Sequence, residues 1–211
     1  MGKSTTLECM KKFCQQVEGL FGVEYLRAPT PTDLRRLLTR GEQRGFPGMI
    51  GSIDCMYWKW KNCPSGWGWG YSGRKGRHTI ILEAVASYDT WIWHAFFGVP
   101  GAQNDINVVG QSPVFDIVIA GNSPTVVFHV NGKRYNNAYY LTDGIYPRYS
   151  TFVYDGPVDS NGVRIPFAPV QRNGTNQQAF WDRIENLESA YIHTMLQNNL
   201  VEHNWAIEAN Q

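Results

Sequence analysis

The sequence predicts a mixed α/β fold in which helices precede a mixed β-sheet and a further helix follows it. Apolar residues recur at spacings of three and four near both ends of the chain. Between these ends lie runs rich in β-branched and aromatic residues, which are typical of strands. The 211 residues fit one domain or one domain with a helical appendage, and a hydrophobic content of 43% is sufficient for a core.

Two helices are predicted ahead of the sheet. The first covers residues 5–22, and its apolar stripe consists of Leu7, Met10, Phe13, Cys14, Val17 and Leu20. Residues 30–33 predict a helix cap, and a second helix follows and ends at a glycine. Pro47 and Gly48 then break the chain before the first strand.

Residues 50–98 predict an antiparallel meander of three strands. The strands cover residues 50–60, 79–87 and 91–98, and the glycine-rich residues 61–77 form a loop between the first two. A short helix or turn is predicted over residues 105–115. The chain therefore places a compact β-unit between its two helical regions.

The second half of the chain predicts a hairpin, one more strand and a helical tail. Asn131-Gly132 suits a type I′ hairpin turn, and the strand after the hairpin ends at Asp143. Residues 155–176 are interpreted as a connector, because they are rich in Gly, Pro and Asn. We expect the apolar stripe of the tail to dock on the sheet or on the N-terminal helix; it consists of Phe180, Ile184, Leu187, Tyr191, Met195 and Leu200.

Charge and hydropathy limit the possible functions. The net charge of +1 means that any nucleic-acid surface must rest on local clustering of basic residues. We expect no signal peptide, and no apolar run approaches the ~18 residues of a membrane span. The cysteines show no CxxC spacing and are interpreted as reduced, buried apolar groups in an intracellular protein; they are Cys9, Cys14, Cys55 and Cys63.

Three aspartates are candidate metal ligands. Asp54 lies within the first predicted strand, Asp105 follows the third strand, and Asp143 ends a later strand. Neighbouring strand ends of a mixed sheet meet at one edge, where three carboxylates would need a cation to offset their repulsion. Oxygen ligands without His or Cys favour Mg²⁺ or Mn²⁺, and two such ions could activate a water for phosphodiester cleavage.

Each aspartate also has an ordinary structural interpretation. Asp105 can be a helix N-cap, and Asp143, followed by Gly144, can be a turn residue. Asp54 is harder to explain in this way, because a carboxylate buried in the middle of a strand needs a partner or an ion. Glu83, in the second strand, is a possible additional acidic residue near the site.

A basic and aromatic stretch lies between Asp54 and Glu83. Its cations are Lys59, Lys61, Arg74, Lys75, Arg77 and His78, and its tryptophans are Trp58, Trp60, Trp67 and Trp69. Interleaved cations and rings suit a nucleic-acid surface, since cations neutralise phosphates and rings stack on bases. The alternative is that tryptophans face the core while lysines face solvent, and this is the preferred interpretation for Trp58 and Trp60.

Three long sequence segments resemble a known family. They are "GFPGMIGSIDCMYWKWKNCPSGW", "TIILEAVASYDTWIWHAFFGVPGAQNDINVVGQSPVF" and "YNNAYYLTDGIYPRYSTFV". Over residues 7–153 the chain resembles the plant branch of PIF/Harbinger-type transposases and their domesticated relatives, and residues 185–205 resemble the end of that family.

The resemblance implies an RNase H-like core with a metal-dependent acidic site that cuts and joins DNA in the nucleus. Asp54, Asp105 and Asp143 fall on the family's aspartates and would be catalytic metal ligands for Mg²⁺ or Mn²⁺. The implied organisation is an N-terminal helical segment (1–46), an incomplete nuclease core (47–154) and a connector with a C-terminal helix (155–211). The resemblance implies DNA as the partner and a separate DNA-binding protein as a second partner, and it implies no membrane.

The sequence departs from the family in two places. The family's last acidic residue is a glutamate in a helix. This sequence has no segment that matches that helix, and its absence indicates an internal deletion. The tail acids Asp182, Glu185 and Glu188 are interpreted as a solvated face rather than as substitutes. Tyr57 stands where the family usually has His.

Three functions stay open: an endonuclease impaired by the lost glutamate, a non-catalytic DNA- or protein-interaction module, and a nuclease acting on another nucleic acid.

Overall fold

The computed structural model describes residues 2–73, 75–114, 116, 125–143, 146, 151–154 and 190–209, and all their side chains except those of residues 125, 154, 190 and 191. Its α-helices are α1 (Lys3–Tyr25), α2 (Pro31–Gln43), α3 (Gly68–Tyr71), α4 (Asp105–Val109) and α5 (Ala190–Glu208). A 3₁₀ turn covers Ser65–Trp67. Its strands are β1 (Met49–Lys59), β2 (Thr79–Ala86), β3 (Ile92–Pro100), β4 (Thr125–Val130), β5 (Lys133–Asn137), β6 (Tyr139–Thr142) and β7 (Phe152–Tyr154).

Five strands form one mixed sheet in the order β3-β2-β1-β6-β7. The pairs β1–β2 and β2–β3 are antiparallel, whereas β6 pairs with β1 and β7 pairs with β6 in parallel. The predicted mixed α/β class and the three-stranded meander are therefore confirmed. β7 was not predicted, because a three-residue strand is too short to show any periodicity.

The predicted hairpin forms, but it does not join the main sheet. β4 and β5 make a separate two-stranded sheet, so the expectation of a single sheet is wrong for this segment. Asn131 and Gly132 have φ values of 49° and 75°, as the type I′ turn requires. Phe128, Val130 and Tyr135 of the hairpin are buried, so it contributes a layer to the core instead of an edge to the sheet.

The start of α2 follows the sequence signal closely. The Thr30 hydroxyl accepts a hydrogen bond from the Asp33 amide at 3.2 Å, and the Asp33 carboxylate accepts one from the Thr30 amide at 2.9 Å. Arg27 donates to the same carboxylate at 2.6 Å, and this bond holds the pKa of Asp33 well below its usual range. α2 packs on β1 through the buried residues Leu37 and Gly41. A Cβ at Gly41 would lie only 2.8 Å from the Phe46 carbonyl oxygen, so the contact needs glycine.

The two faces of the main sheet are covered differently. On one face, which we call the α4 face, α4 covers the first three strands; its buried residues include Ile53, Ile81, Val85, Val99, Val108 and Val109. On the other face, the hairpin and α5 cover the start of β1 together with β6 and β7; the cluster there includes Met49, Ile50, Phe128, Val130, Tyr139, Val153, Leu196 and Leu200. This second cover does not reach the end of β1, where Met56 is 57% and Trp58 is 53% exposed.

The described part of the tail docks as predicted. Leu196 and Leu200 of α5 are buried in the cluster with the hairpin and β7, and the His193 ring bonds the Phe152 carbonyl oxygen at 2.8 Å. The remaining apolar positions of the predicted stripe, from Phe180 to Leu187, lie outside the described residues, as do Asp182, Glu185 and Glu188.

The structure corrects the prediction made for the four cysteines. α1 forms, but none of its residues is buried, so its apolar stripe does not pack into the core. Cys9 and Cys14 lie on this helix and are exposed, while Cys55 and Cys63 are only half-buried. The interpretation of the cysteines as buried groups is therefore wrong, because two of them lie on a helix that does not enter the core.

Candidate metal and nucleic-acid site

Asp54 and Asp143 occupy neighbouring positions on the sheet. Ser52 of β1 pairs with Leu141 of β6 in parallel, and each aspartate lies two residues beyond its member of this pair. Because side chains alternate between the faces with a period of two, both aspartates belong to the face that carries the hairpin and α5. Both side chains are exposed, and they lie where the cover of that face ends.

Asp54 is exposed, whereas the sequence argument treated it as a carboxylate buried in the middle of a strand. Its carboxylate accepts a hydrogen bond from the Cys55 amide at 2.7 Å and is otherwise open to solvent. The expectation that a mid-strand carboxylate is buried and needs a partner or an ion is thus wrong at this position. The strand alternates as expected, but the face that Asp54 shares with Met56 and Trp58 is not covered there.

Asp105 is the first residue of α4 and is positioned by β1. The Tyr57 hydroxyl donates to its carboxylate at 2.8 Å. Burial raises the pKa of Asp105 above its ordinary value, and the hydrogen bond from Tyr57 opposes that rise. The negative charges of Asp143, Asp54 and Glu83 raise it further, which places these carboxylates in one electrostatic neighbourhood.

Asp105 is not the N-cap of α4. Asn104 takes that role, because its side chain accepts from the Asn107 amide at 2.9 Å. Asp105 is thus left free to accept from Tyr57, whose position in β1 belongs to the α4 face, opposite to that of Asp54. The sequence shows Tyr57 only as a departure from the family. Its hydrogen bond to Asp105 depends on how α4 packs on β1, which the sequence does not show.

The three candidate aspartates are therefore neighbours without forming a compact ligand set. Asp54 and Asp143 share one face, and Asp105 approaches from the side of α4. Among the residues that the structure describes, no group of three or more His, Cys, Asp or Glu side chains is arranged to hold a metal ion. The geometry supplies one carboxylate pair with a third carboxylate nearby.

Glu83 is a fully buried acid next to this region. It pairs with Cys55 across β1 and β2 on the α4 face, and its Oε1 accepts from the Ser112 hydroxyl. The His94 ring lies 3.1 Å from the same hydroxyl and 3.6 Å from Oε1 of Glu83, so His94 is a satisfied structural residue. Glu83 is therefore held by its own network and acts on Asp105 only through its charge.

Cys55 is not a reactive thiol. Its sulfur lies 3.4 Å from the hydroxyl of the buried Tyr146, and burial raises the pKa of the thiol to about 12. A thiol that stays protonated is neither a nucleophile nor a ready metal ligand at neutral pH. The donors of the site are accordingly carboxylate oxygens.

The basic and aromatic loop begins where β1 ends and is largely exposed. Lys59, Lys61, Lys75 and Arg77 all have exposed side chains, and Arg74 lies outside the described residues. The backbone bond from the Trp60 amide to the His78 carbonyl oxygen, 2.9 Å long, closes the base of the loop. Four cations thus surround a stretch of chain that continues directly from Asp54.

The tryptophans of this loop have two different roles. Trp60, Trp67 and Tyr71 pack on one another, with ring centroids 4.9 to 6.0 Å apart, and give the loop a small core of its own. Trp58 and Trp69 are 53% and 94% exposed. The interpretation of Trp58 as a core residue is wrong, because its side of β1 is not covered there; its ring is available to a ligand.

Together, the fold and the site define a mixed α/β protein with an exposed pair of carboxylates on neighbouring strands beside a basic, tryptophan-rich loop. The family model described as plant transposon protein matches residues 23–171, which is more than half of the chain, and the chain belongs to this family. A search of curated proteins found no match, and neither did a search of solved structures. Within the described part of the chain, no helix is both long and apolar enough to span a bilayer.

Proposed function

We propose that this chain is a transposase-derived DNA endonuclease and strand-transfer domain of the PIF/Harbinger type, with an RNase H-like core and reduced activity. In this proposal Asp54, Asp105 and Asp143 hold Mg²⁺ or Mn²⁺ and act on a phosphodiester in nuclear DNA. The observation that carries it is the placement of Asp54 and Asp143 side by side on an exposed part of the sheet. Membership in the plant transposon protein family supports the same descent.

The chemistry of the donors suits a magnesium ion that is completed by its substrate. Mg²⁺ is commonly bound by one or two carboxylates, with waters and substrate phosphates as its other ligands. The pair of Asp54 and Asp143 offers two such carboxylates, and the exposure of both leaves room for a phosphate. A bound divalent ion would supply an activated water and charge stabilisation at the leaving oxygen.

The protein's own residues would position the DNA and the third carboxylate. The hydrogen bond from Tyr57 fixes the Asp105 carboxylate at the start of α4. Lys59 and Lys61 would neutralise phosphates along the end of β1, and Trp58 could stack on an unpaired base. Lys75 and Arg77 would extend this basic surface along the loop, and Arg74 is proposed as a further DNA-binding residue from the sequence alone.

A second candidate is a non-catalytic DNA-binding module of the same descent. Among the described residues no group of three side chains is arranged to hold a metal ion, which favours this candidate. The sequence also lacks the family segment that carries the last glutamate. An internal deletion that removed this helix would leave a metal ion short of one ligand. Turnover would then be strongly reduced while the basic loop still bound DNA.

A plasmid-nicking assay with a titration of Mg²⁺ and Mn²⁺ tests the catalytic proposal. We expect slow nicking that depends on the metal and is lost in both Asp54→Asn and Asp143→Asn. Asp116→Asn is the matched control, since it removes one exposed carboxylate away from the pair and should leave nicking unchanged. Absence of metal-dependent nicking at any protein concentration would contradict the endonuclease proposal.

DNA binding, followed by fluorescence anisotropy at several salt concentrations, separates the two candidates. Replacing both Lys59 and Lys61 by alanine should weaken binding and reduce the salt dependence, by about 0.9 in the slope of log K against log salt for each lost phosphate contact on duplex DNA. Retained DNA binding without nicking supports the non-catalytic module. If the double variant keeps both the affinity for DNA and the slope of log K against log salt, the loop is not the DNA surface.

A further inference from the structure

α1 presents an apolar surface that the described part of the chain leaves uncovered. The helix has 23 residues, which gives it a length of about 34 Å. Its exposed apolar side chains include Leu7 (59%), Met10 (57%), Phe13 (64%), Val17 (40%), Leu20 (72%) and Phe21 (51%). Their spacing places them on one side of the helix, and a stripe of this kind is normally buried against another surface.

Ring contacts fix the end of α1 to the domain. Tyr25 stacks on Trp91 with ring centroids 5.0 Å apart, and Phe21 contacts Tyr25 edge to face. The family match begins at residue 23, so nearly all of α1 precedes it. The stripe of α1 contains none of the residues of the proposed DNA site, so an inference about it does not rest on the proposed function.

The charges of α1 indicate what covers the stripe. The half from residue 3 to residue 13 carries three lysines and one glutamate, a net charge of +2. The half from residue 14 to residue 25 carries Glu18 and Glu24 and no basic residue, a net charge of −2. A second copy in antiparallel orientation would bring each basic half onto an acidic half, whereas a parallel copy would bring like charges together.

We propose that α1 is a homodimerisation helix, and that two copies of this chain pack their α1 stripes together in antiparallel orientation. Lys11 and Glu18 border the stripe on the same side and lie at nearly equal distances from the helix centre. In the antiparallel pair, Lys11 of each copy therefore lies close to Glu18 of the other. The apolar stripe supplies the stability of the pair, and the two ion pairs set its direction.

Light scattering after size-exclusion chromatography tests the dimer directly. We expect a mass of twice the 24.0 kDa of one chain, falling towards the single-chain mass on dilution. Phe13→Glu should raise the dimer dissociation constant by more than about tenfold, because it places a charge in the apolar contact. Gln15→Glu, on the opposite side of the same helix, is the matched control and should leave the mass unchanged.

Phe13 is exposed in one chain, so its replacement should not unfold the protein, and circular dichroism should show an unchanged spectrum at the same concentration. A single-chain mass at all concentrations would overturn the proposal, since the stripe would then be covered within one chain or by another partner. A dimer that persists unchanged in Phe13→Glu would also overturn it, because the contact would lie elsewhere.

A charge exchange tests the orientation. Lys11→Glu alone should weaken the dimer several-fold, because it faces Glu18 of the second copy. The exchange of both residues, Lys11→Glu with Glu18→Lys, restores opposite charges in the antiparallel pair and should recover the affinity. An exchange variant that stays as weak as Lys11→Glu would contradict the antiparallel arrangement.

Cross-linking through the exposed cysteines gives an independent measurement of orientation. Cys14 is the midpoint of α1, eleven residues from each end, so the two Cys14 side chains of an antiparallel pair lie close together. The two Cys9 residues would be about 15 Å apart along the axis. A short bis-maleimide should therefore cross-link the Cys9→Ser protein and fail to cross-link Cys14→Ser; cross-linking of both variants would indicate a parallel pair and overturn the proposal.

Discussion

The two faces of the first three strands show how one alternating pattern yields both a core and an exposed surface. Ile81, Glu83 and Val85 of β2 face α4 and are at most 2% exposed. On the opposite face, Met56 and Phe97 are 57% and 59% exposed, although they flank Leu82 in one row across the sheet. The residues on both faces are apolar enough for a core, and the difference lies in what covers them.

The boundary between covered and open sheet coincides with the candidate site. The hairpin and α5 bury Met49 and Ile50 at the start of β1 and pack against Leu141, two residues before Asp143. Asp54 lies four residues after Ile50 on the same face and is already exposed. A ligand that approached the open part of this face would therefore meet the carboxylate pair at one side and Trp58 at the other.

The largest expected effect tests whether buried residues of the α4 face contribute more to the free energy of unfolding than exposed residues of the opposite face. Ile81→Ala removes a side chain with no exposed surface from the α4 face and should lower the free energy of unfolding by about 2 to 5 kcal/mol. Met56→Ala removes an exposed side chain from the other face and should change it by less than about 0.5 kcal/mol. Urea unfolding of both variants provides the measurement.

A loss of several kcal/mol in Met56→Ala would break the comparison. It would show that the apparently open face is covered in solution, by a second copy or by residues outside the described ranges. Repeating the measurement at two protein concentrations distinguishes these cases, since only cover by a second copy depends on concentration.

The next effect concerns the buried carboxylate of the covered face. Ser112→Ala removes the hydroxyl that donates to Glu83 and should cost about 1 to 3 kcal/mol, because it leaves a buried acceptor without its donor. Ser52→Ala, at an exposed position of β1, is the matched control and should be nearly neutral. Equal and small effects in both variants would show that the Glu83 network adds no stability to this face.

Much of this architecture was predictable because local signals specify it. The Thr30 cap, the alternation of β1 to β3 and the Asn131-Gly132 turn each depend on a few neighbouring residues, and all three form as expected. The separate hairpin sheet and the open face were not predictable. They depend on which elements meet across the fold, and alternation in β1 cannot show that its second half lacks a cover on one side.

The candidate site was predictable in part for the same reason. The parallel pairing of β1 with β6 places Asp54, in the middle of β1, beside Asp143, which directly follows β6. The faces of the sheet separate Asp105 from this pair, and its bond to Tyr57 depends on where α4 packs. The sequence shows that three acids are available, but the register and the helix position decide how many can share an ion.

The smallest expected effect is the pH dependence contributed by Asp105, which lies on the α4 side of the sheet. Because its pKa in the folded state is raised above 3.8, its ionisation is less favourable in the folded protein than in the unfolded chain. The resulting stabilisation is fully present below pH 3.8 and is lost as the pH rises through the folded pKa. Asp105→Asn keeps an acceptor for Tyr57 without the charge, so its stability relative to the wild type should increase between pH 4 and pH 7.

Thermal unfolding in EDTA at the two pH values measures this difference. Tyr57→Phe should act in the opposite sense at pH 7, because losing its hydrogen bond raises the pKa of Asp105 further and lowers stability. An Asp105→Asn protein that is less stable than the wild type at pH 7 in EDTA would show that the charge is well accommodated without a metal. If Mg²⁺ then raises the melting temperature of the wild type and not that of Asp105→Asn, Asp105 belongs with the carboxylate pair in spite of lying on the side of α4.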